Sequence, residues 1–131
     1  MRFNVDRLDH LVLTVGDVER TCSWYQRVLG MDHDEYGTPP RATLKFGGQK
    51  INVRPEQIDD WGTAMSATVG SADLCFVTSV GVDDIVAHLN DCGVRVEEGP
   101  VARLGALGPI RSVYCRDPDG NLIEISSYLD D

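Results

Sequence analysis

His10, Asn52, Asp73 and Glu124 are the residues of this chain whose types and spacing could do chemistry. They recur at matching places in two copies of one pattern. Leu8–Asp9–His10–Leu11–Val12–Leu13–Thr14–Val15 opens the first copy, and Ser71–Ala72–Asp73–Leu74–Cys75–Phe76–Val77–Thr78 opens the second. His10 and Asp73 stand 63 positions apart, and so do Gly30 and Gly93. The copies also end alike. Gly47–Gly48–Gln49–Lys50–Ile51–Asn52–Val53 matches Asp119–Gly120–Asn121–Leu122–Ile123–Glu124–Ile125 at a spacing of 72, so the second copy carries nine additional residues. Each copy thus brings one polar residue to its first strand and one to its last. Four such positions converging on one point are the outline of a metal site.

The elements that must position them can be read from periodicity. Residues 8–15 alternate and read as a strand; Asp17 is placed to cap a helix bearing Val18, Cys22, Tyr25 and Leu29, which Gly30 closes. Residues 31–36, 42–46 and 49–54 read as three further strands, giving β-α-β-β-β. The second copy starts at Asp73, with Asp83 expected to cap a helix carrying Ile85, Leu89 and Cys92. Strands are then expected at 94–98, 110–116 and 121–127, with 99–109 a glycine-rich crossing and Asp117–Pro118–Asp119–Gly120 a type I turn. Modules of about 6–55 and 71–128 are joined by a connector of about 56–70 that holds Trp61 and Met65, and the 131 residues read as one α+β domain. Strand parity puts His10, Asn52, Asp73 and Glu124 on the faces opposite the greasier residues. A charged Glu124 between Ile123 and Ile125 is expensive to bury without a partner. The concave face of a curved eight-stranded sheet would supply one.

A formal charge of −9 argues against nucleic acid or an anionic membrane as partner, and no basic cluster with interleaved aromatics offsets it. No apolar run approaches the length of a membrane span, and no signal-peptide pattern opens the chain. Cys22, Cys75, Cys92 and Cys115 include no close pair and read as reduced, buried small hydrophobes of a cytoplasmic protein. There is no P-loop, dinucleotide fingerprint or Ser-His-Asp set.

The string at residues 8–15, Trp24–Tyr25 with Leu29–Gly30, and Arg116–Asp117–Pro118–Asp119–Gly120–Asn121–Leu122–Ile123–Glu124 together resemble the vicinal oxygen chelate superfamily of glyoxalases, bleomycin-resistance proteins and extradiol dioxygenases. Lys50–Ile51–Asn52, Gly70–Ser71–Ala72–Asp73–Leu74–Cys75 and Glu98–Gly99–Pro100–Val101 are most similar to its glyoxalase domain-containing protein 5-like branch. The resemblance implies two βαβββ modules forming a cup-shaped eight-stranded barrel, a homodimer, and one divalent metal per site. His10 and Glu124 match the family's metal ligands; Asp73 falls where many relatives have His or Gln, and Asn52 where glyoxalase I enzymes have Glu.

A ligand set of His10, Asp73 and Glu124 suits six-coordinate Mn2+, Fe2+, Ni2+, Co2+ or Mg2+ with open water positions better than closed tetrahedral Zn2+. Such a metal would take the vicinal oxygens of a small substrate and stabilise developing charge, with Glu124 or a bound hydroxide moving protons. Arg54 shares the Asn52 face; it would either hold an anionic substrate group bidentately or neutralise Glu124. Tyr114 is a substrate contact or a wall aromatic, and Asn52 a hydrogen-bonding wall residue more than a ligand. Two functions follow. One is a metal-dependent lyase or isomerase, ahead of a dioxygenase, acting on a small anionic vicinal-oxygen molecule. The other is a metal-free binding protein that sequesters a small molecule. Nothing in these residues supports glutathione dependence.

Overall fold

The computed structural model describes residues 1–58 and 61–129. The chain divides into two compact units, Met1–Val69 and Gly70–Asp131. Among the described residues each unit holds one helix and four strands.

In the first unit, β1 (His10–Val15) is followed by α1 (Val18–Leu29), β2 (Asp32–Tyr36), β3 (Arg41–Phe46) and β4 (Gln49–Pro55). The sheet order is β1-β4-β3-β2, with β1 parallel to β4 and the other pairs antiparallel. Helix α1 starts where expected: the Asp17 side chain accepts from Arg20 N at 2.9 Å, capping a free N–H of the first turn. It stops at Gly30, whose φ of 67° is left-handed and costs a residue without a Cβ nothing. Gly30 N and Met31 N then bond back to Gln26 O and Tyr25 O. The helix buries Thr21, Cys22, Trp24, Tyr25 and Val28 toward the sheet, where Leu13, Leu44, Ile51 and Val53 form the core. Trp24 and Tyr25 meet edge to face at 5.0 Å, which accounts for both as packing residues.

The second unit repeats the plan with β5 (Asp73–Val77), α2 (Val82–Asp91), β6 (Glu98–Gly105), β7 (Gly108–Arg116) and β8 (Leu122–Tyr128), in the order β5-β8-β7-β6. Two of its details differ from expectation. Asp83 does not cap α2. The N-cap is Gly81, and Asp83 and Asp84 lie inside the first turn, where their charge complements the helix dipole. Val82 is buried, so the helix begins early enough to place it against the sheet. Strand β6 runs over 98–105 rather than 94–98, and the glycine-rich crossing is its hairpin with β7. Gly99 and Gly105 there serve close approach: a Cβ on Gly105 would meet the Tyr128 hydroxyl at 2.6 Å, and one on Gly99 the backbone of Ser112.

The turn before β8 is a structural clamp. Gly120 N bonds to Asp117 O at 3.0 Å, as a type I turn requires. Buried Asp117 accepts from Asp119 N, Asn121 N and Asn121 Nδ2 (2.9, 3.0 and 2.7 Å). Asn121 Oδ1 in turn accepts from Ala72 N at 2.8 Å, tying the turn to the residue before Asp73. Replacing Asn121 by Ala would remove the bonds it makes to Ala72 N–H and to Asp117 Oδ2. Asn121→Ala is expected to lower the unfolding free energy by about 2 kcal/mol, read from urea titration.

The cysteine expectation holds for Cys22 and Cys115, buried thiols that desolvation pushes to about 11 and thereby keeps inert. Cys75 is different: it is exposed, on the opposite face of β5 from Leu74 and Phe76. Of the connector aromatics and sulfurs, Trp61 is buried under the Arg41 guanidinium at 4.2 Å, whereas Met65 is fully exposed. Among the described residues no helix is long and apolar enough to cross a membrane.

Candidate functional site

Register places the candidate residues within each sheet. On β1 and β4, His10 pairs with Lys50, Val12 with Asn52 and Thr14 with Arg54. Alternation puts these on the face opposite Leu11, Leu13, Ile51 and Val53. On β5 and β8, Asp73 pairs with Leu122, Cys75 with Glu124 and Val77 with Ser126. The repeat is therefore exact in register. Asn52 lies between Val12 and Thr43, and Glu124 lies between Cys75 and Tyr114.

In the first unit, His10 stands at the start of β1 with its ring partly exposed, and its Nδ1 is 2.9 Å from Asp9 Oδ1. That hydrogen bond holds the Asp9 carboxyl below the usual carboxylate range. A carboxylate only accepts, so Nδ1–H is directed to Asp9 and Nε2 is the nitrogen left over, the arrangement by which a carboxylate fixes a metal-binding imidazole. Asp9→Asn is expected to weaken divalent-metal binding about tenfold while leaving the fold intact, by calorimetric titration with Mn2+.

Asn52 is buried, and its Oδ1 already accepts from Thr43 Oγ1 at 3.0 Å. Arg54 is 6% exposed. Its Nη2 donates to Ile58 O at 2.7 Å and its Nη1 to Thr14 Oγ1 at 3.4 Å, but Nε has no partner. No described carboxylate of its own unit pairs with it. A buried guanidinium with an N–H unmet among the described residues carries a desolvation cost.

In the second unit, Asp73 is exposed at the start of β5, next to the Asn121 clamp. Glu124 is half-buried, and its Oε2 accepts from Ser112 Oγ at 2.6 Å, with Ser126 Oγ 3.4 Å from the same oxygen. Tyr114 lies beside Glu124 in the ladder, and its hydroxyl accepts from Arg103 Nε at 3.0 Å. Burial pushes the Tyr114 phenol up, against the pull of Arg103, so it remains a neutral donor. Arg103 is itself tied to Glu98 at 3.2 Å.

Among the described residues no three His, Cys, Asp or Glu side chains stand together as a metal cage. The donors are divided, His10 in one unit and Asp73 and Glu124 in the other. Their chemistry fits a hard divalent cation: an imidazole nitrogen oriented by a carboxylate, and two carboxylates. Sequence reasoning missed Asp9, Thr43, Ser112 and Ser126. Asp9 was legible as the neighbour of His10. Ser112 and Ser126 become legible only once β7 and β8 are paired.

The sequence profile described as Glyoxalase/Bleomycin resistance protein/Dioxygenase superfamily matches residues 7–125. The chain is 48% identical over 125 residues to virulence protein STM3117 of Salmonella typhimurium, covering 95% of this chain and 86% of that protein. It is 31% identical over 132 residues to a lactoylglutathione lyase of Haemophilus influenzae, covering 88% and 87%. An integron cassette protein from the mobile metagenome of Vibrio cholerae has a similar solved structure. Its TM-score is 0.94 at 48% identity, over 98% of this chain and 99% of that one.

Proposed function

The chain belongs to the glyoxalase/bleomycin resistance protein/dioxygenase superfamily, and we propose that it is a divalent-metal-dependent lyase or isomerase acting on a small anionic substrate with vicinal oxygens. The observation that carries this reading is the Asp9–His10 pair, which orients an imidazole with Nε2 left for a ligand. Resemblance to a lactoylglutathione lyase supports the lyase class.

His10, Asp73 and Glu124 would hold the cation. Once bound, the metal supplies Lewis-acid polarisation of the substrate oxygens. The chain's own residues do the rest. Glu124 takes a proton from the substrate and returns it. Arg54 binds the anionic group through its unpartnered N–H, an interaction worth most where water is excluded. Asn52 and Tyr114 line the substrate, and Tyr114 donates a hydrogen bond as a neutral phenol.

Elemental analysis before and after dialysis against Mn2+, Ni2+, Fe2+ and Zn2+ tests the reading. About one metal per chain is expected by the usual stoichiometry of such sites. A chain that takes up none is better described by the second function, a cytoplasmic sequestering protein. That alternative draws on the occupied Asn52 oxygen and the buried Arg54, which suit a binding wall.

A further inference from the structure

Two serines lie fully buried side by side in the middle of the second sheet. Ser112 on β7 pairs with Ser126 on β8, and neither is exposed to solvent. Serine is a poor choice for a buried central strand, where valine packs better and brings no hydroxyl to satisfy. Their partners account for them. Ser112 Oγ lies 2.6 Å from Glu124 Oε2 and 2.7 Å from Ser126 Oγ, and Ser126 Oγ lies 3.4 Å from Cys75 Sγ.

Proton bookkeeping gives this row a direction. An ionised carboxylate only accepts, and each hydroxyl or thiol has one proton to give. Ser112 spends its proton on Glu124, so of the two hydroxyls it is Ser126 that donates to Ser112. Two donors in series terminate on a single oxygen. Each polarises the next, and together they offset the cost of holding Glu124 half-buried. Both serine contacts fall on Oε2, and neither serine takes Oε1.

We propose that Ser112, backed by Ser126, is a positioning residue that locks Glu124 by Oε2 and so presents Oε1 as its single working oxygen. The inference rests on the metal reading above and adds to it how the carboxylate is aimed. A carboxylate held by one oxygen binds a cation through the other alone. That leaves more of the cation's positions for substrate than a chelating carboxylate would.

The test uses Mn2+ alone, titrated into the full chain and followed by calorimetry, with the visible spectrum of the Co2+ form as a second readout. Ser112→Thr and Ser112→Val differ only in the hydroxyl. Ser112→Thr is expected to keep wild-type affinity and spectrum. Ser112→Val is expected to bind about tenfold more weakly, with a shifted spectrum, as loss of an outer-shell partner typically does. Ser126→Ala, a smaller change, covers the case in which valine fails to fold and is expected to weaken binding in the same direction. Wild-type affinity and spectrum in both Ser112→Val and Ser126→Ala would overturn the inference. Glu124→Ala separates the two levels: if it loses Mn2+ while the serine variants do not, the metal reading stands and the positioning role falls. If Glu124→Ala binds Mn2+ as wild type does, both fall.

Discussion

Glu124→Ala and His10→Ala are each expected to lower divalent-metal affinity by about a thousandfold, roughly 4 kcal/mol, and to abolish turnover with it. The two side chains contribute in different ways, so the effect should be similar while the cause differs. His10 offers one nitrogen, already oriented by Asp9 at 2.9 Å, and Ala removes both the donor and the reason for that orientation. Glu124 offers an oxygen from a carboxylate tied by its other oxygen to Ser112 at 2.6 Å, and Ala leaves two buried serine hydroxyls with no anion to serve. His10 is exposed, so its variant should unfold as wild type does. Glu124→Ala should lose some stability through its stranded hydroxyls. Glu124→Gln keeps an acceptor for Ser112 and therefore separates the packing loss from the loss of charge. Metal content of purified variants, with urea unfolding in parallel, reads both. Undiminished metal in both alanine variants would refute the chelating enzyme.

The second large effect concerns Arg54. Arg54→Met is expected to weaken binding of a small anion such as a 2-hydroxycarboxylate about a hundredfold, near 2.7 kcal/mol, because the anion loses a buried cationic partner. Stability should move far less. The guanidinium is 6% exposed, with an unmet Nε–H, so its removal relieves a desolvation cost even as the bond to Ile58 O is lost. A change within about 1 kcal/mol is expected from these opposed terms. Arg54→Lys should not restore anion binding, since an ammonium lacks the planar fork that meets a carboxylate with two parallel bonds. Calorimetry with the anion and a neutral ester of it gives the check; equal losses for both ligands would show that Arg54 shapes the wall and does not recognise charge.

Much of this was written in the sequence, for a physical reason. The repeat, the Asp17 cap, the Gly30 stop and the β-α-β-β-β order depend on local rules, namely periodicity, capping and left-handed turns, which act over a few residues. Parity also put His10, Asn52 and Arg54 on one face of the first sheet, and Asp73 and Glu124 on one face of the second, because alternation in a strand is independent of its partners. The extent of β6 was not legible. Its glycines signal a loop when read locally, and only the ring of Tyr128 and the backbone of β7 show that they allow close packing.

The site's second layer also came from tertiary structure. Asn121 reaches Ala72 across 49 residues, and the Ser112–Ser126–Glu124 row exists only because β7 and β8 pair in one particular register. A one-residue slip would turn every one of those hydroxyls to the opposite face. The sequence by itself determined which residues carry donors and which face of each strand they occupy. Tertiary structure decided which of those donors are held, by what, and which atoms are left to bind a ligand, since these depend on contacts between residues far apart in the chain.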